Sequence, residues 1–280
     1  MRVQVGDVKL FFDVEGLKLR PAGQRMSEVP TLLLLHGGPG FDHSEFKSGF
    51  SRLVDIAQVV YLDHRGNGRS DSGPRERWKL ETWADDVRTF CDALEIEKPI
   101  ILGHSFGGIV AIFYAIRYPK HAAKLILTST STRPVGERSF SIFEKLGGPA
   151  ARAAAIEFWT NPGTESAKRY GQICLPLYTQ RKLPDGFYSR AVRNPEMRLV
   201  FVEDELKSTA ITELLRSIQC PTLVLAGEKD PITPATDAEE IFAALPANLR
   251  QFKRFANAGH HLFWDEPESF FETLRKFILM

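Results

Sequence analysis

The sequence predicts a doubly wound α/β fold: a mostly parallel sheet with helices on both faces and a helical cap inserted into it. Three observations carry this. Short, continuously apolar runs recur at Thr31 to Leu35, Ala57 to Leu62, Pro99 to Leu102, Leu125 to Thr128 and Thr222 to Ala226, the pattern of strands buried on both faces. Amphipathic helical patterns lie between them. From about residue 131 to 217 the alternation gives way to helical stretches punctuated by Pro and Gly, and it resumes at Cys220-Pro221.

In chain order, Val3 to Val14, with Gly6-Asp7 near its start, reads as a strand hairpin, and Gly16 to Pro30 as a polar loop. Thr82 to Leu94 reads as a helix capped by Thr82, with Trp83, Val87, Phe90 and Leu94 on one stripe. A second helix over Phe106 to Tyr118 stops at Pro119, whose ring and missing N–H cannot continue it. The expected organisation is a core of residues 1–130 and 218–280 with a cap or lid of 131–217. In such sheets ligands bind beyond the carboxyl ends of the strands, where that cap would lie.

Composition bounds the partners. The chain has 280 residues, 43% hydrophobic and 25% charged, long enough to bury about three quarters of its unfolded surface. Lys plus Arg number 36 against 35 Asp plus Glu, so no basic field exists to gather nucleic acid, and none is expected as a partner. Cys91, Cys174 and Cys220 are odd in number and far apart, with neither a disulfide framework nor the close spacing of a zinc site. Residues Met1 to Asp7 lack the apolar stretch of a secretory signal, and the run Leu32 to Leu35 is too short to span a bilayer. A cytoplasmic protein without membrane association is expected.

The chemistry is expected at Gly103-His104-Ser105-Phe106-Gly107-Gly108, which follows a strand and opens a helix. A bare G-x-S-x-G is often a plain turn. Set between strand and helix, it is the sharp elbow that pushes a serine hydroxyl out over the sheet edge, which makes Ser105 the expected nucleophile. A serine hydroxyl is a weak nucleophile at neutral pH, so a base and an orienting acid must follow, in the order serine, acid, histidine. Asp230 comes just past the strand Leu223 to Ala226, with Glu228 as the fallback acid. Gly259-His260-His261 lies in a loop before the last helix; His260 is the expected base and His261 a packing or hydrogen-bonding neighbour. Histidines 36, 43, 64, 104 and 121 precede the acid and do not fit the order.

Acyl transfer also needs rigid N–H donors for the developing oxyanion. His36-Gly37-Gly38-Pro39-Gly40 follows the first buried strand, so Gly38 N–H is one candidate, since Pro39 has no N–H to give. Phe106 N–H, at the positive end of its helix, is the other. The Gly-rich loop lacks both G-x-G-x-x-G and G-x-x-x-x-G-K-S/T, which argues against a phosphate cradle.

The ordered set HGGPG, DHRGNGRS (Asp63 to Ser70), GHSFGG, GEKD and AGHH resembles the α/β-hydrolase superfamily along nearly the whole chain. The resemblance implies a Ser105–His260–Asp230 triad acting without metal or organic cofactor on a small molecule or short peptide, and a structural role for Asp63 to Ser70. A serine at the elbow, where haloalkane dehalogenases and epoxide hydrolases carry aspartate, argues against those chemistries. HGGPG is similar to the proline iminopeptidase subgroup, which carries Trp or Tyr where this chain has Phe106, and it also occurs in esterases and lactonases. The resemblance thus implies a serine hydrolase that cleaves an ester or amide bond through an acyl-enzyme, like a proline iminopeptidase; a carboxylesterase or lactonase without peptidase activity is the alternative, and a non-catalytic ligand receptor on the same scaffold a remoter one. An aminopeptidase must meet its substrate's α-ammonium with a carboxylate. Glu196 is the expected cap acid, and Glu203-Asp204-Glu205 a second group that reads as a solvated helix face with a Glu203–Lys207 pair.

Overall fold

Each of the five apolar runs forms a strand within two residues of its expected ends. The structure, a computed structural model, describes residues 1–47, 49–201 and 211–280. The chain opens on the hairpin β1 (Arg2–Val5) and β2 (Val8–Glu15), turning at Gly6-Asp7. Residues 16–30, expected as loop, contain a second antiparallel pair, β3 (Leu19–Ala22) and β4 (Arg25–Glu28). These strands are four residues long and largely exposed, so no apolar alternation marks them in the sequence.

The core follows as β5 (Thr31–Leu35), β6 (Gln58–Leu62), α1 (Leu80–Ala93), β7 (Ile100–His104), α2 (Phe106–Arg117) and β8 (Lys124–Thr128). Helix α1 starts at Leu80 with Lys79 as its cap residue, so Thr82 sits inside the first turn rather than capping it. Leu80 is buried, and its packing draws the helix start back. Between β8 and β9 (Thr222–Gly227) lie α3 (Glu137–Thr160), α4 (Thr164–Ile173) and α5 (Pro195–Val200). Helix α3 breaks at Gly148, whose φ of 73° favours glycine, with Pro149 starting its second half. The chain ends with α6 (Ala235–Ala244), β10 (Arg250–Phe255), α7 (Leu262–Asp265) and α8 (Pro267–Leu279).

The sheet order is β1-β2-β6-β5-β7-β8-β9-β10, parallel from β6 to β10. Alternate residues of the buried strands feed opposite layers. Leu33, Leu35, Val60 and Ile101 pack under α1 and α2, while Leu32, Leu34, Tyr61 and Leu102 meet Phe46, Phe50 and the α8 phenylalanines. A third cluster, Phe140, Phe143, Phe158, Tyr170 and Tyr178, joins α3 and α4 to Ile232 of the core. The cysteines are free and buried, and burial pushes the Cys91 thiol up to about 12 and that of Cys220 up to about 11. No helix among the described residues is long and apolar enough to cross a membrane.

One buried ion pair ties the β6–α1 connection to α1. Arg65, 1% exposed, grips Asp86 through two 2.8 Å hydrogen bonds, and Trp83 Nε1 donates to the Arg65 carbonyl at 3.0 Å. Arg65 also meets the partly exposed Asp7 at 2.8 Å, so removing Asp86 leaves the buried guanidinium one of its two carboxylates. Asp86→Ala is expected to lower unfolding free energy by about 3 kcal/mol in urea titrations; a loss below about 1 kcal/mol, the range of an exposed pair, would contradict this.

Candidate active site

Ser105 sits between β7 and α2 at φ 52°, ψ −119°, a strained conformation for a residue with a Cβ. Two hydrogen bonds hold it: its N–H donates to Thr128 O at 3.0 Å, and Thr130 Oγ1 donates to its carbonyl at 2.8 Å. The turn closes only because Gly103 and Gly107 lack side chains. A Cβ at Gly107 would collide with the Leu35 carbonyl, and one at Gly103 with the Gly107 carbonyl.

The structure brings Asp230 and His260 together. His260 Nδ1 lies 2.8 Å from Asp230 Oδ2, with both side chains buried. Burial alone would raise the Asp230 pKa, but the imidazole of His260 and hydrogen bonds from Thr233 hold it below the usual carboxylate value. Asp230 accepts from Ile232 N–H at 2.9 Å, Thr233 N–H at 3.0 Å and Thr233 Oγ1 at 2.6 Å. An ionised Asp230 keeps the ring proton on Nδ1 and leaves the Nε2 lone pair free. Ser105, His260 and His261 line one cleft. Ser105 Oγ makes no hydrogen bond to the His260 ring, a contact that often tightens only with substrate bound. Glu228, the fallback acid, points elsewhere and pairs with Arg254 at 2.9 Å.

The loop after β5 lies against the serine: a Cβ at Gly37 would stand 3.3 Å from Ser105 Cβ. Among the described residues, neither Gly38 N–H nor Phe106 N–H donates to a protein acceptor. The DHRGNGRS segment holds this loop. Asn67 Oδ1 accepts from Gly40 N–H at 2.6 Å, and Asp63 Oδ1 accepts from His43 N–H at 2.9 Å. His36 takes the His64 N–H at Nε2, 3.2 Å away, and donates from Nδ1 to the Gly37 carbonyl at 2.7 Å.

Two residues that sequence reasoning passed over shape the site. Glu45 accepts from Gly37 N–H at 2.6 Å and meets His104 Nδ1 with both oxygens at 3.1 Å, while His104 Nε2 lies 3.2 Å from the His260 carbonyl. Asp265 accepts from Gly259 N–H at 2.7 Å and from Gln180 and Arg181 N–H at 2.9 and 3.0 Å. Tyr178 O accepts from His260 N–H at 2.6 Å, so the inserted segment is bonded directly to the histidine loop. Sequence signals for these were faint: Glu45 follows HGGPG by five residues, and Asp265 follows His260 by five.

Glu196 is corrected. It is exposed, lies outside the cleft and faces Arg75 at 3.4 Å. Arg198, two residues on, lines the cleft instead. Two residues along a helix turn about 200°, so Glu196 and Arg198 cannot share a face. Glu203, Asp204, Glu205 and Lys207 lie outside the described residues. The ligand atoms of Glu45, His104 and His261 lie within 4.8 Å of one another, the one such grouping among the described residues. The hydrogen bonds of Glu45 make it an anion–imidazole cluster rather than an open set of metal ligands.

Burial would raise the Glu45 pKa, but His104 and the Gly37 N–H pull it to about 2. Burial would lower that of His104, and Glu45 raises it above 6.5. His261, desolvated and beside His104, falls to about 3 and stays neutral. A depressed carboxylate contributes stability above its unfolded value of 4.5 and loses it as pH falls. A raised histidine contributes below its unfolded value of 6.5 and loses it as pH rises through the folded pKa. The thermal-stability gap between wild type and Glu45→Gln is therefore expected to be widest between pH 4.5 and 6.5 and to narrow on either side. Melting curves by circular dichroism check this, and a gap that does not vary with pH would contradict it.

The chain matches the family described as alpha/beta hydrolase fold over residues 30–267. It is 29% identical over 290 residues to a proline iminopeptidase of Lactiplantibacillus plantarum, covering 92% of this chain and 95% of that one. An esterase from Thermogutta terrifontis superposes with a TM-score of 0.73 at 25% identity, covering 99% and 98% of the two chains. The proline iminopeptidase of Mycobacterium smegmatis superposes at 0.77 with 21% identity, over 99% and 97%. With its parallel sheet, its serine elbow and a family match over most of its length, the chain belongs to the alpha/beta hydrolase fold family.

Proposed function

We propose that the protein is a serine hydrolase that cleaves a carboxylic ester through an acyl-enzyme. The observation that carries this is the buried Asp230–His260 pair beside the strained Ser105 in one cleft. His260 Nε2 takes the Ser105 proton as Oγ attacks the carbonyl carbon; the carbonyl oxygen becomes negative against Gly38 and Phe106 N–H. His260 then protonates the leaving alcohol. Water, deprotonated by the same ring, releases the acid and restores the serine. No step calls for a cofactor.

Ester rather than N-terminal prolyl amide is favoured by the charge of the cleft. Among the described residues between β8 and β9, none of those lining it is an acid, and Arg198 is a cation there. The core acids in it are engaged: Asp42 with Arg69 at 2.6 Å, and Glu45 with His104. An α-ammonium would leave water for a site with no free carboxylate among the described residues, which costs several kcal/mol. Release of N-terminal proline remains the second reading, supported by relatives named for it at up to 29% identity.

Steady-state kinetics with a neutral short-chain p-nitrophenyl ester and with prolyl-p-nitroanilide test both. Ester kcat/KM is expected to exceed that for the amide well beyond the reactivity difference of the leaving groups; the reverse would move the assignment to the peptidase. Ser105→Ala and His260→Ala are each expected to abolish turnover, because serine and base act as one unit. Asp230→Asn is expected to lower kcat by about 10³- to 10⁴-fold through the wrong imidazole tautomer. Retained turnover in Ser105→Ala, or loss in Glu228→Gln rather than Asp230→Asn, would contradict the assignment.

A further inference from the structure

Arg198 lines the cleft with no carboxylate partner among the described residues. Packing positions it instead: its guanidinium carbon lies 4.3 Å from the Phe158 ring centroid and 5.2 Å from that of Tyr170, and both rings are 0% exposed. Stacking leaves the planar edge of a guanidinium, with its donors, free. Trp159 adds an aromatic face to the same wall, its ring 5.2 Å from that of Phe158 and 6.2 Å from that of Tyr170.

Two further arginines pack against rings of the cleft. Arg190 stacks 4.9 Å over Phe187 and Arg193 stacks 5.2 Å over Phe41, two rings that line the cleft. Both arginines donate to backbone carbonyls, of Ser44 and Tyr188, and neither meets a carboxylate among the described residues. Leu175, Phe201 and Ile232 add apolar surface, and the two acids of the cleft, Asp42 and Glu45, are paired with Arg69 and His104.

We propose that the substrate carries a carboxylate away from its scissile bond, received by the Arg198 guanidinium. This rests on the ester-hydrolase reading and names the substrate class of the same site. Two oxygens in one plane match the guanidinium fork, and desolvation by the aromatic wall strengthens the contact. The arginines stacked on Phe187 and Phe41 favour the approach of an anion.

The test compares kcat/KM within two pairs of esters. Mono-p-nitrophenyl adipate and its methyl ester place the charge on the acyl side; 4-(butyryloxy)benzoate and its methyl ester place it on the leaving side. In wild type the carboxylate member of at least one pair is expected to be favoured about 10- to 100-fold. Arg198→Met is expected to remove most of that ratio, and Arg198→Lys to keep part of it. Arg198→Gln is expected to lower it severalfold and serves should Arg198→Met not fold. Equal rates within both pairs in wild type, or a ratio unmoved by Arg198→Lys and Arg198→Gln, overturns the inference while leaving the hydrolase reading intact. Absence of turnover with all four esters overturns that reading, and this inference with it.

Discussion

The turn at Ser105 constrains everything around it. A non-glycine residue at φ 52° costs on the order of 1–3 kcal/mol, which neighbouring contacts must offset. Two hydrogen bonds from the β8 end and the glycine contacts to β5 do so. Because Gly107 touches the Leu35 carbonyl, the helix start and the loop after β5 are placed together, and with them both N–H groups proposed to receive the oxyanion. The Asp63 to Ser70 segment then fixes the far side of that loop through Asn67 and Asp63. A motif that contributes no reacting group thus sets the distance between two that do.

The histidine loop is tied to the inserted segment rather than left to the core alone. His260 N–H binds the Tyr178 carbonyl, and Asp265 bridges Gly259 to Gln180 and Arg181. The position of the proposed base and the wall of the cleft are therefore coupled: a shift of the segment that carries Tyr178 would move the imidazole as well. The Glu45–His104 pair supports the same loop from below, through the His260 carbonyl.

The strands were legible because five apolar runs between helical patterns have few other foldings, and the Asp230–His260 pairing and the turn at Ser105 because chain order and strand ends restrict where they can sit. The β3–β4 hairpin was not legible: its residues face water and carry no periodic signal. Glu45 and Asp265 were not either, since each acts by a return of the chain onto a loop far away in sequence. Glu196 shows the limit most clearly. The sequence did not say which side of the six-residue helix Pro195–Val200 faces the cleft. The turn from Glu196 to Arg198 reverses the charge presented there.

A strained serine beside a buried imidazole–carboxylate pair in one cleft is the proposed catalytic centre. The most direct measurement is reaction of the folded protein with a fluorophosphonate, followed by intact mass and peptide mapping. The account predicts one adduct per chain, on Ser105, with turnover lost in proportion to labelling and no adduct in His260→Ala on the same time scale. An adduct on another residue that removes activity, or full activity after complete labelling of Ser105, would contradict it.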